Sequence, residues 1–528
     1  MVDTKNATPR PSTFLIWTPA GKGDKKDQVF RRHRHAAIVH HQRRKKRDGA
    51  SEPRISSTIL LSKPVLNPPE PNNTPPDSEN SESTGSENDF PIVEPASGRL
   101  DPFDVLCIRG FPSEALALFQ SAIKNQWPAF ASSSHPRIIE RWKSTTTHLA
   151  METPYLLEAI TYAACCYQLF FGSGNSSTEF LRLNSHQQAV VYLREGLASN
   201  GGSVTDAMLL SMAILGVHTS AYPPQQRPQM GDVGHRDNDF YSSQTWEQTH
   251  INAVLRLTTQ KGGLQSISIP ELREMILVID TQDSLNTLRK PNFPLEKTTI
   301  SMIQTLRANW SSEKKKQFAS RKNGFKCLLE VKDAEELFKL TTRICSLLES
   351  FDMMMKMGPQ SGMDFLFVIA TRRFLQHDAL SLPVNSDSLH KLCRLAVITY
   401  MAECIEPSSS QWPMHEATSK ALMLALDECD KIGIGETQPD LLLWATVVGG
   451  FASRETYLRN WYLEQLCSYS LTKSGGTWSA VQELSERYLP LRYRQGQGCA
   501  LIWEAAHAWL SKDRYAQPIR IPNAPLML

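Results

Sequence analysis

The stretch "TPYLLEAITYAACCYQLFF", residues 153–171, decides the fold class of this chain. Its apolar residues recur every three or four positions, which is the spacing of one face of an α-helix. The positions that form this stripe are Leu156, Ile160, Ala163, Tyr167 and Phe170. Thr153 suits the N-cap and Pro154 the first helical position, because the N–H that proline lacks would have no partner there. The stretch therefore predicts an amphipathic helix.

The same helical spacing continues outward, from "LDPFD" at Leu100 towards the C-terminus. Further helices are predicted in "HQQAVVYLREGLASNGG", "SVTDAMLLSMAILGV", "WEQTHINAVLRLTTQKGGLQSI", "PELREMILVIDTQDSL", "AEELFKLTTRICSLLESFDMMMKM", "DSLHKLCRLAVITYMAE", "SKALMLALDECDKI" and "PDLLLWATVVGGFASRETYLRNWYLEQL". Convincing alternating strand patterns are missing. The sequence therefore predicts an all-α fold, a large helical bundle over residues 100–528.

Glycines and caps set the expected limits of these helices. Gly201 and Gly202 are predicted to end one helix, and Ser203 or Thr205 to cap the next. Residues 220–244 and the basic stretch "NWSSEKKKQFASRKNG" are predicted loops, and neither is expected to separate two domains. The isolated "GSG" at 172–174 and "GQG" at 496–498 follow no strand and are predicted helix ends or turns.

Residues 49–99 differ in composition from the helical part of the chain. Pro, Ser, Asn and Glu dominate, with "NPPEPNNTPPDSENSESTGSENDF" at the centre. Such a segment buries too little apolar surface to offset the entropy lost on ordering, so it predicts a disordered linker. Between positions 70 and 94 it holds acids and no Lys or Arg, so a loose contact with the basic residues before it is the alternative to a purely solvated linker.

Residues 1–48 form a basic N-terminal arm. Eight Lys or Arg and no acid lie between positions 31 and 47, although the formal charge of the whole chain is only +3. Without those eight residues, 49 Lys and Arg stand against 54 Asp and Glu, a formal charge of −5. The positive field is therefore local, and the residues predicted to carry function are Arg31, Arg32, Arg34, Arg43, Arg44, Lys45, Lys46 and Arg47.

These cations form two groups, because ten residues lie between the pair Arg31 and Arg32 and the cluster "RRKKR" at 43–47. A nuclear import receptor binds two basic clusters at about that separation, so the arm predicts a bipartite nuclear localisation signal and a location in the nucleus. Nonspecific DNA contact is a second interpretation, and neutralising about five phosphates would give a log-affinity slope near −4.5 against log salt. A solvated arm without a partner is the third.

Motifs for sequence-specific DNA binding and for catalysis are missing from the sequence. The basic stretch runs into Gly49 and Pro53 rather than heptads, which argues against a basic zipper, and the first cysteine is Cys107, too late for a zinc cluster in the arm. There is no P-loop, no H-E-x-x-H and no G-x-S-x-G. The chain is therefore predicted not to be an enzyme, and to hold no metal and no cofactor.

The cysteines and the apolar runs indicate in which cellular environment the chain is expected to fold. The ten cysteines include no C-x-x-C pair and lie mostly inside apolar helical patterns, which predicts free, buried thiols. The longest apolar runs, such as "LLLWATVVGGFA", are shorter than the roughly 18 to 20 residues of a membrane span, so no transmembrane segment is predicted.

Taken in order along the chain, several motifs resemble those of a known family. They are "FLIW", "FRRHRHAAIVHHQRRKKRD", "LDPFD", "PYLLEAITYAACCY", "QQAVVYLREGL", "HINAVLRLTTQKGGL", "LCRLAVITYM" and "LLLWATVVGG". This order resembles the fungal-specific transcription factor domain family, in the members that lack a zinc cluster, over nearly the whole chain. The resemblance implies an all-helical regulatory domain in the nucleus, with His250 and residues 262–264 as structural landmarks.

Residues and resemblance together predict a fungal nuclear transcriptional regulator, with regulation of a metabolic gene cluster implied by the family. The expected partners are a nuclear import receptor, the transcription machinery or a DNA-binding partner, DNA in nonspecific contact, and a small-molecule effector of the helical domain. The alternative is a helical scaffold or adaptor whose basic arm binds RNA or an anionic membrane surface.

Overall fold

The computed structural model describes residues 111–127, 135–172, 174–219, 240–241, 244, 246–295, 299–320, 323–361, 363–403, 405, 413–472 and 477–511. The predicted arm, the predicted linker and most of the loop at 220–244 lie outside the described residues. Within the described ranges, the regular elements are helices and no strand occurs, which confirms the predicted all-α fold class there.

Within the described residues, seven α-helices form the N-terminal half of this bundle. They are α1 (Ser113–Asn125), α2 (Pro136–Glu152), α3 (Pro154–Phe170), α4 (Ser176–Ser199), α5 (Asp206–Val217), α6 (Gln248–Lys261) and α7 (Pro270–Thr287). Helix α3 lies at the centre, because it packs against α1, α2, α4 and α5. The buried indoles of Trp127 and Trp142 stack with ring centroids 6.4 Å apart in the same hydrophobic core.

The α3 helix forms where the sequence predicts it, but it is not amphipathic. Residues on every side of it are buried, including Leu157, Thr161 and Cys165, while Tyr167 of the predicted stripe is half-buried. A helix surrounded by four others has little surface left for solvent. Four residues of the predicted stripe, Leu156, Ile160, Ala163 and Phe170, are buried, but the predicted amphipathic character was wrong. Thr153 holds the N-cap position, but its hydroxyl donates to the carbonyl of Leu149 at 2.6 Å and makes no cap.

The predicted helix ends agree more closely with the structure. Thr205 caps α5 by accepting from the backbone N–H of Met208 at 3.2 Å, so it rather than Ser203 is the cap. Helix α6 ends before Gly262, whose φ of 112° lies in the left-handed region that favours glycine. Leu264 then enters the core with 4% of its surface exposed. Residues 262–264 are therefore a helix stop that anchors the following chain.

The C-terminal half continues from residue 299. Its α-helices are α8 (Thr299–Ala308), α9 (Ser312–Ala319), α10 (Glu335–Met357), α11 (Phe365–Ser381), α12 (Ser388–Glu403), α13 (Pro413–Lys431), α14 (Ile434–Thr437), α15 (Pro439–Ala452), α16 (Arg459–Thr472), α17 (Trp478–Ser485) and α18 (Tyr493–Ser511). Short 3₁₀ segments occupy Leu264–Ser266, Gly324–Glu330 and Gly358–Ser361. Helix α15 is central here, because it packs against α12, α13, α16, α17 and α18.

Two elements of this half differ from the sequence predictions. The single long helix expected from "PDLLLW" onward is two helices, α15 and α16, because Ser453 and Thr456 bond to local backbone carbonyls between them. "GQG", predicted as a helix end or a turn, lies within the first two turns of α18 and forms no separate turn. A Cβ on Gly498 would lie 2.1 Å from the Phe451 ring, so this glycine permits the close approach of α18 to the end of α15.

Helix α7 belongs to both halves. Its Leu272 and Ile276 lie in the N-terminal hydrophobic core, whereas Leu285 lies in the C-terminal one. The turn after α7 is fixed by Asp280, whose buried carboxylate accepts from the backbone N–H of Phe293 at 2.9 Å. His377 of α11 lies 2.7 Å from the carbonyl oxygen of Phe293. The two cores are thus joined through one shared helix and one hydrogen-bonded turn.

Candidate functional site

The eight cations that the sequence predicts as the functional residues all lie outside the described residues. The structure therefore neither places them nor brings them together. The site that the described residues offer is a different one, a charged cleft in the C-terminal half.

This charged cleft has a volume of about 800 Å³ and is open to solvent. Its lining comes from α9, α10, α17 and the turn that leads into α18: Lys314, Gln317, Phe318, Glu349, Asp352, Lys356, Gln482, Glu486 and Arg492. Positions 349, 352 and 356 are three and four residues apart, so they share one face of α10. Positions 314, 317 and 318 share one face of α9 for the same reason.

Arg492 is the hub of the charges in the cleft. Its guanidinium donates to both oxygens of Glu486, at 2.9 and 2.5 Å, and lies 2.7 Å from Asp352 Oδ2 and 3.4 Å from Glu349 Oε1. Burial alone would lower the pKa of Arg492, but the hydrogen bond to Glu486 and the attraction of the three carboxylates outweigh it and raise that pKa. Arg492 is therefore a fixed positive charge.

Two lysines complete the network. Lys314 pairs with Glu349, and Lys356 lies 3.2 Å from Asp352 Oδ2. The Lys356 side chain is 73% exposed, whereas the Asp352 side chain is 9% exposed, so the lysine can leave while the carboxylate stays in place. Three cations and three carboxylates give the cleft no formal net charge.

An aromatic wall borders the charges. The half-buried Phe318 ring packs against Trp310 with centroids 5.1 Å apart, and the Arg307 guanidinium lies 4.9 Å from the centroid of Phe318. The Trp310 indole donates to Ser350 Oγ at 2.9 Å, which holds it against α10. The cleft thus combines charges of both signs with one apolar face.

This arrangement suits a small ligand that carries both a positive and a negative charge. Ion pairs that are partly exposed are worth only about 0–1 kcal/mol each, so a ligand could replace one of them at low cost. A ligand carboxylate would replace a carboxylate at Arg492, and a ligand ammonium would replace Lys356 at Asp352. Phe318 would cover the apolar part between the two charges.

The sequence prediction was wrong at one wall of the cleft. "NWSSEKKKQFASRKNG" is not wholly a loop, because Ser312–Ala319 form α9. The signal was present, since Ser311 caps the helix by accepting from the N–H of Lys314 at 3.1 Å and Glu313 lies in the first turn. The helix has only eight residues and contains three consecutive lysines, so it shows no apolar spacing that would predict it.

A second charged cluster lies in the same half, and the carboxylate at its centre is closed to solvent. Glu403, at the end of α12, pairs with His415 of α13 at 2.5 Å and with Arg454 at 3.0 Å. Burial would raise the pKa of Glu403, but the charges of Arg454 and His415 and their hydrogen bonds lower it to about 2. Glu403 is therefore ionised inside the protein at neutral pH.

Metal-binding clusters and membrane-spanning helices are two other kinds of site that the described residues could form. Among these residues, no group of three or more His, Cys, Asp or Glu side chains could hold a metal ion. No helix in the described part of the chain has the length and hydropathy needed to cross a bilayer.

Comparisons with known proteins add no relative. None of the protein-family models, curated proteins or solved structures that were compared with the chain matches it.

Proposed function

We propose that the chain is a nuclear transcriptional regulator that acts through its helical body and is not an enzyme. The observation that carries this proposal is the concentration of positive charge in the arm. Eight cations in two groups lie between positions 31 and 47, while the rest of the chain is formally negative. Such a local pattern suits recognition by a nuclear import receptor, whose groove takes two basic clusters.

The architecture of the body supports the proposal. The fungal-specific transcription factor domain family, which the sequence resembles, implies an all-helical regulatory domain, and the described residues form such a helical body. His250, one landmark of the resemblance, is half-buried on α6, where burial and the neighbouring His186 lower its pKa. A neutral, packed histidine suits the structural role that the resemblance implies.

In this proposal the charged cleft receives the small-molecule effector. Its three cations, its three carboxylates and Phe318 favour a zwitterionic ligand with a short apolar middle. Helix α9, α10 and the turn before α18 all contribute to the lining, so a bound ligand would fix their positions relative to one another. Effector binding would thereby stabilise one arrangement of the helical body.

DNA contact in this proposal is electrostatic and nonspecific. The cations of the arm neutralise phosphates, and a DNA-binding partner or the transcription machinery supplies the choice of promoter. Binding of the chain to DNA is then expected to weaken steeply as salt rises.

Genome-wide chromatin occupancy of the tagged full chain tests the proposal. We expect enrichment at a limited set of promoters, and loss of that enrichment when residues 43–47 are all changed to alanine. The matched control changes Lys315 and Lys316 of α9, which are exposed cations on the folded body, and should leave the enrichment intact. Absence of enrichment for the unaltered chain would contradict the proposal, and association with RNA or anionic vesicles instead would favour the adaptor alternative.

A further inference from the structure

A pair of histidines joins two helices of the N-terminal half. The rings of His186 on α4 and His250 on α6 lie edge to face, with their centroids 6.2 Å apart. Helix α4 packs mainly against α3, whereas α6 packs mainly against α5. The ring contact therefore links two helices that rest on different neighbours.

The surroundings of the two rings favour neutral imidazoles. Both rings are half-buried, and neither forms a hydrogen bond with another described residue, so no acceptor among those residues stabilises a protonated ring. His250 is the third residue of α6, where the positive end of the helix dipole disfavours a further positive charge. Burial lowers the pKa of both histidines, and a charge on His186 lowers the pKa of His250 further.

Two charged residues next to the pair act in opposite directions. Besides burial, Arg182 on α4 lowers the pKa of His186, whereas Glu247, the N-cap residue of α6, acts to raise the pKa of both histidines. Arg182 donates to both carboxylate oxygens of Glu179, at 2.9 and 2.8 Å, and these bonds raise its own pKa. Arg182 is therefore a lasting positive charge, and the net shift of both histidines is downward.

Further titratable groups come from the helices that surround the pair. Tyr162 of α3, whose ring centroid lies 5.0 Å from that of His186, donates its hydroxyl to the carbonyl of His218 at the end of α5. Burial raises the pKa of Tyr162 and lowers the pKa of His218 to about 4, so both side chains stay neutral near pH 6. Asp283 of α7 accepts from the first residue of α6 at 2.7 Å and pairs with Arg289 at 2.5 Å.

We propose that His186 and His250 form a pH-sensitive contact, which holds α4 against α6 while both rings are neutral and opens when both are protonated. The opened rings take up protons near pH 6.5, the ordinary pKa of histidine, whereas the packed rings take them up only at a lower pH. The opened form therefore binds more protons in this interval, and acid favours opening as the pH falls below about 6.5. The inference rests on the ring contact and is independent of the proposed nuclear function.

Hydrogen–deuterium exchange of the full chain tests the contact. Exchange is measured at pH 7.5 and at pH 5 and is corrected for the intrinsic effect of pH on amide exchange. We expect the peptides that cover residues 182–193 and 248–255 to exchange about tenfold faster at pH 5, because two unit charges at this separation repel strongly at an effective dielectric constant near 20. Peptides from α15, in the C-terminal half, should change much less, which distinguishes local opening from global unfolding.

Variants assign the effect to the two rings. H186Q and H250Q each leave one ring that can be charged, so each should lose most of the acid-induced increase. The matched control is H148Q, because His148 on α2 is exposed and lies 3.3 Å from Glu152, and it should keep the full increase. H186F keeps an aromatic ring without a charge and replaces H186Q if that variant fails to fold. Exchange of the unaltered chain that is no faster at pH 5, or an increase that persists in H186Q and H250Q, would overturn the proposal.

Discussion

Two charged clusters in the C-terminal half use the same chemistry at different depths. In the closed cluster, the side chains of Glu403 and His415 are 1% and 2% exposed. In the charged cleft, the side chains of Arg492 and Glu486 are 26% and 39% exposed. Both clusters place arginine against carboxylates at hydrogen-bonding distance. Depth, rather than the kind of residue, therefore decides whether a cluster is fixed or can exchange its partners.

The difference follows from the solvation of the ions. A buried carboxylate that loses its partner cannot regain contact with water. Breaking a buried ion pair therefore lowers the free energy of unfolding strongly. A charge at the edge of an open cleft recovers water when its partner leaves, so exchange costs little. The closed cluster is expected to stabilise the junction of α12 and α13, and the open cluster is expected to bind ligand.

The largest expected effect is that of Glu403→Gln. The change leaves the buried His415 and the partly buried Arg454 without their carboxylate, and removing one partner of a buried ion pair typically costs about 3–5 kcal/mol of unfolding free energy. Urea denaturation measures this loss. The matched control is Glu428→Gln, because Glu428 pairs with Lys391 at 2.6 Å on the surface and should be almost neutral. Equal losses in the two variants would contradict the distinction by depth.

Lowering the pH should reveal the contribution of Glu403 to the stability of the unaltered chain. The pKa of Glu403 is lowered from its ordinary 4.5 to about 2, so its contribution is complete above about pH 4.5 and is lost as the pH falls towards 2. The lowered pKa corresponds to a contribution on the order of 3 kcal/mol. The difference in stability between the wild type and Glu403→Gln should therefore shrink over this interval. A difference that is constant from pH 5 to pH 2 would contradict the assignment.

Arg492→Met should cost less, roughly 1–2 kcal/mol, because water reaches the cleft and Glu349 and Asp352 keep their lysine partners. Urea denaturation again gives the value. Lys356→Met is the comparison variant, since its side chain is 73% exposed and its loss should change stability by less than about 0.5 kcal/mol. A larger loss of unfolding free energy for Lys356→Met than for Arg492→Met would contradict the role of Arg492 as the hub of the cleft.

A zwitterionic probe should give the smallest effect. γ-Aminobutyrate carries a carboxylate and an ammonium on a short apolar chain, and at about five times its dissociation constant it should stabilise the protein by about 1 kcal/mol. Thermal unfolding measures the stabilisation, with butyrate and butylamine, which carry one charge each, as controls. The stabilisation should vanish in Arg492→Met. Equal stabilisation by the singly charged controls would contradict a site that needs both charges.

Local signals in the sequence predicted much of the fold. The positions of α3, α5 and α6 follow from helical spacing, from the Thr205 cap and from Gly262, all of which act between near neighbours. Burial on every side of α3 could not be read in this way, because it depends on which other helices surround it. Spacing alone favoured a stripe, and the packing of four neighbours removed the exposed face.

The site was harder to predict than the fold. Arg492 and Asp352 are far apart in the sequence, as are Glu403 and Arg454, and no local pattern joins either pair. Each contact exists only after the helices pack. The arm is the opposite case, because its two groups of cations are a property of the sequence itself, and its interpretation stays a prediction that the described residues do not test.

The subcellular distribution of a fluorescently tagged full chain in a fungal cell tests the central claim most directly. Three forms are compared: the unaltered chain, a variant with residues 43–47 changed to alanine, and the Lys315 and Lys316 control on α9. The account predicts that the unaltered chain and the control accumulate in the nucleus while the arm variant is excluded from it. An arm variant that is distributed like the unaltered chain would contradict the account.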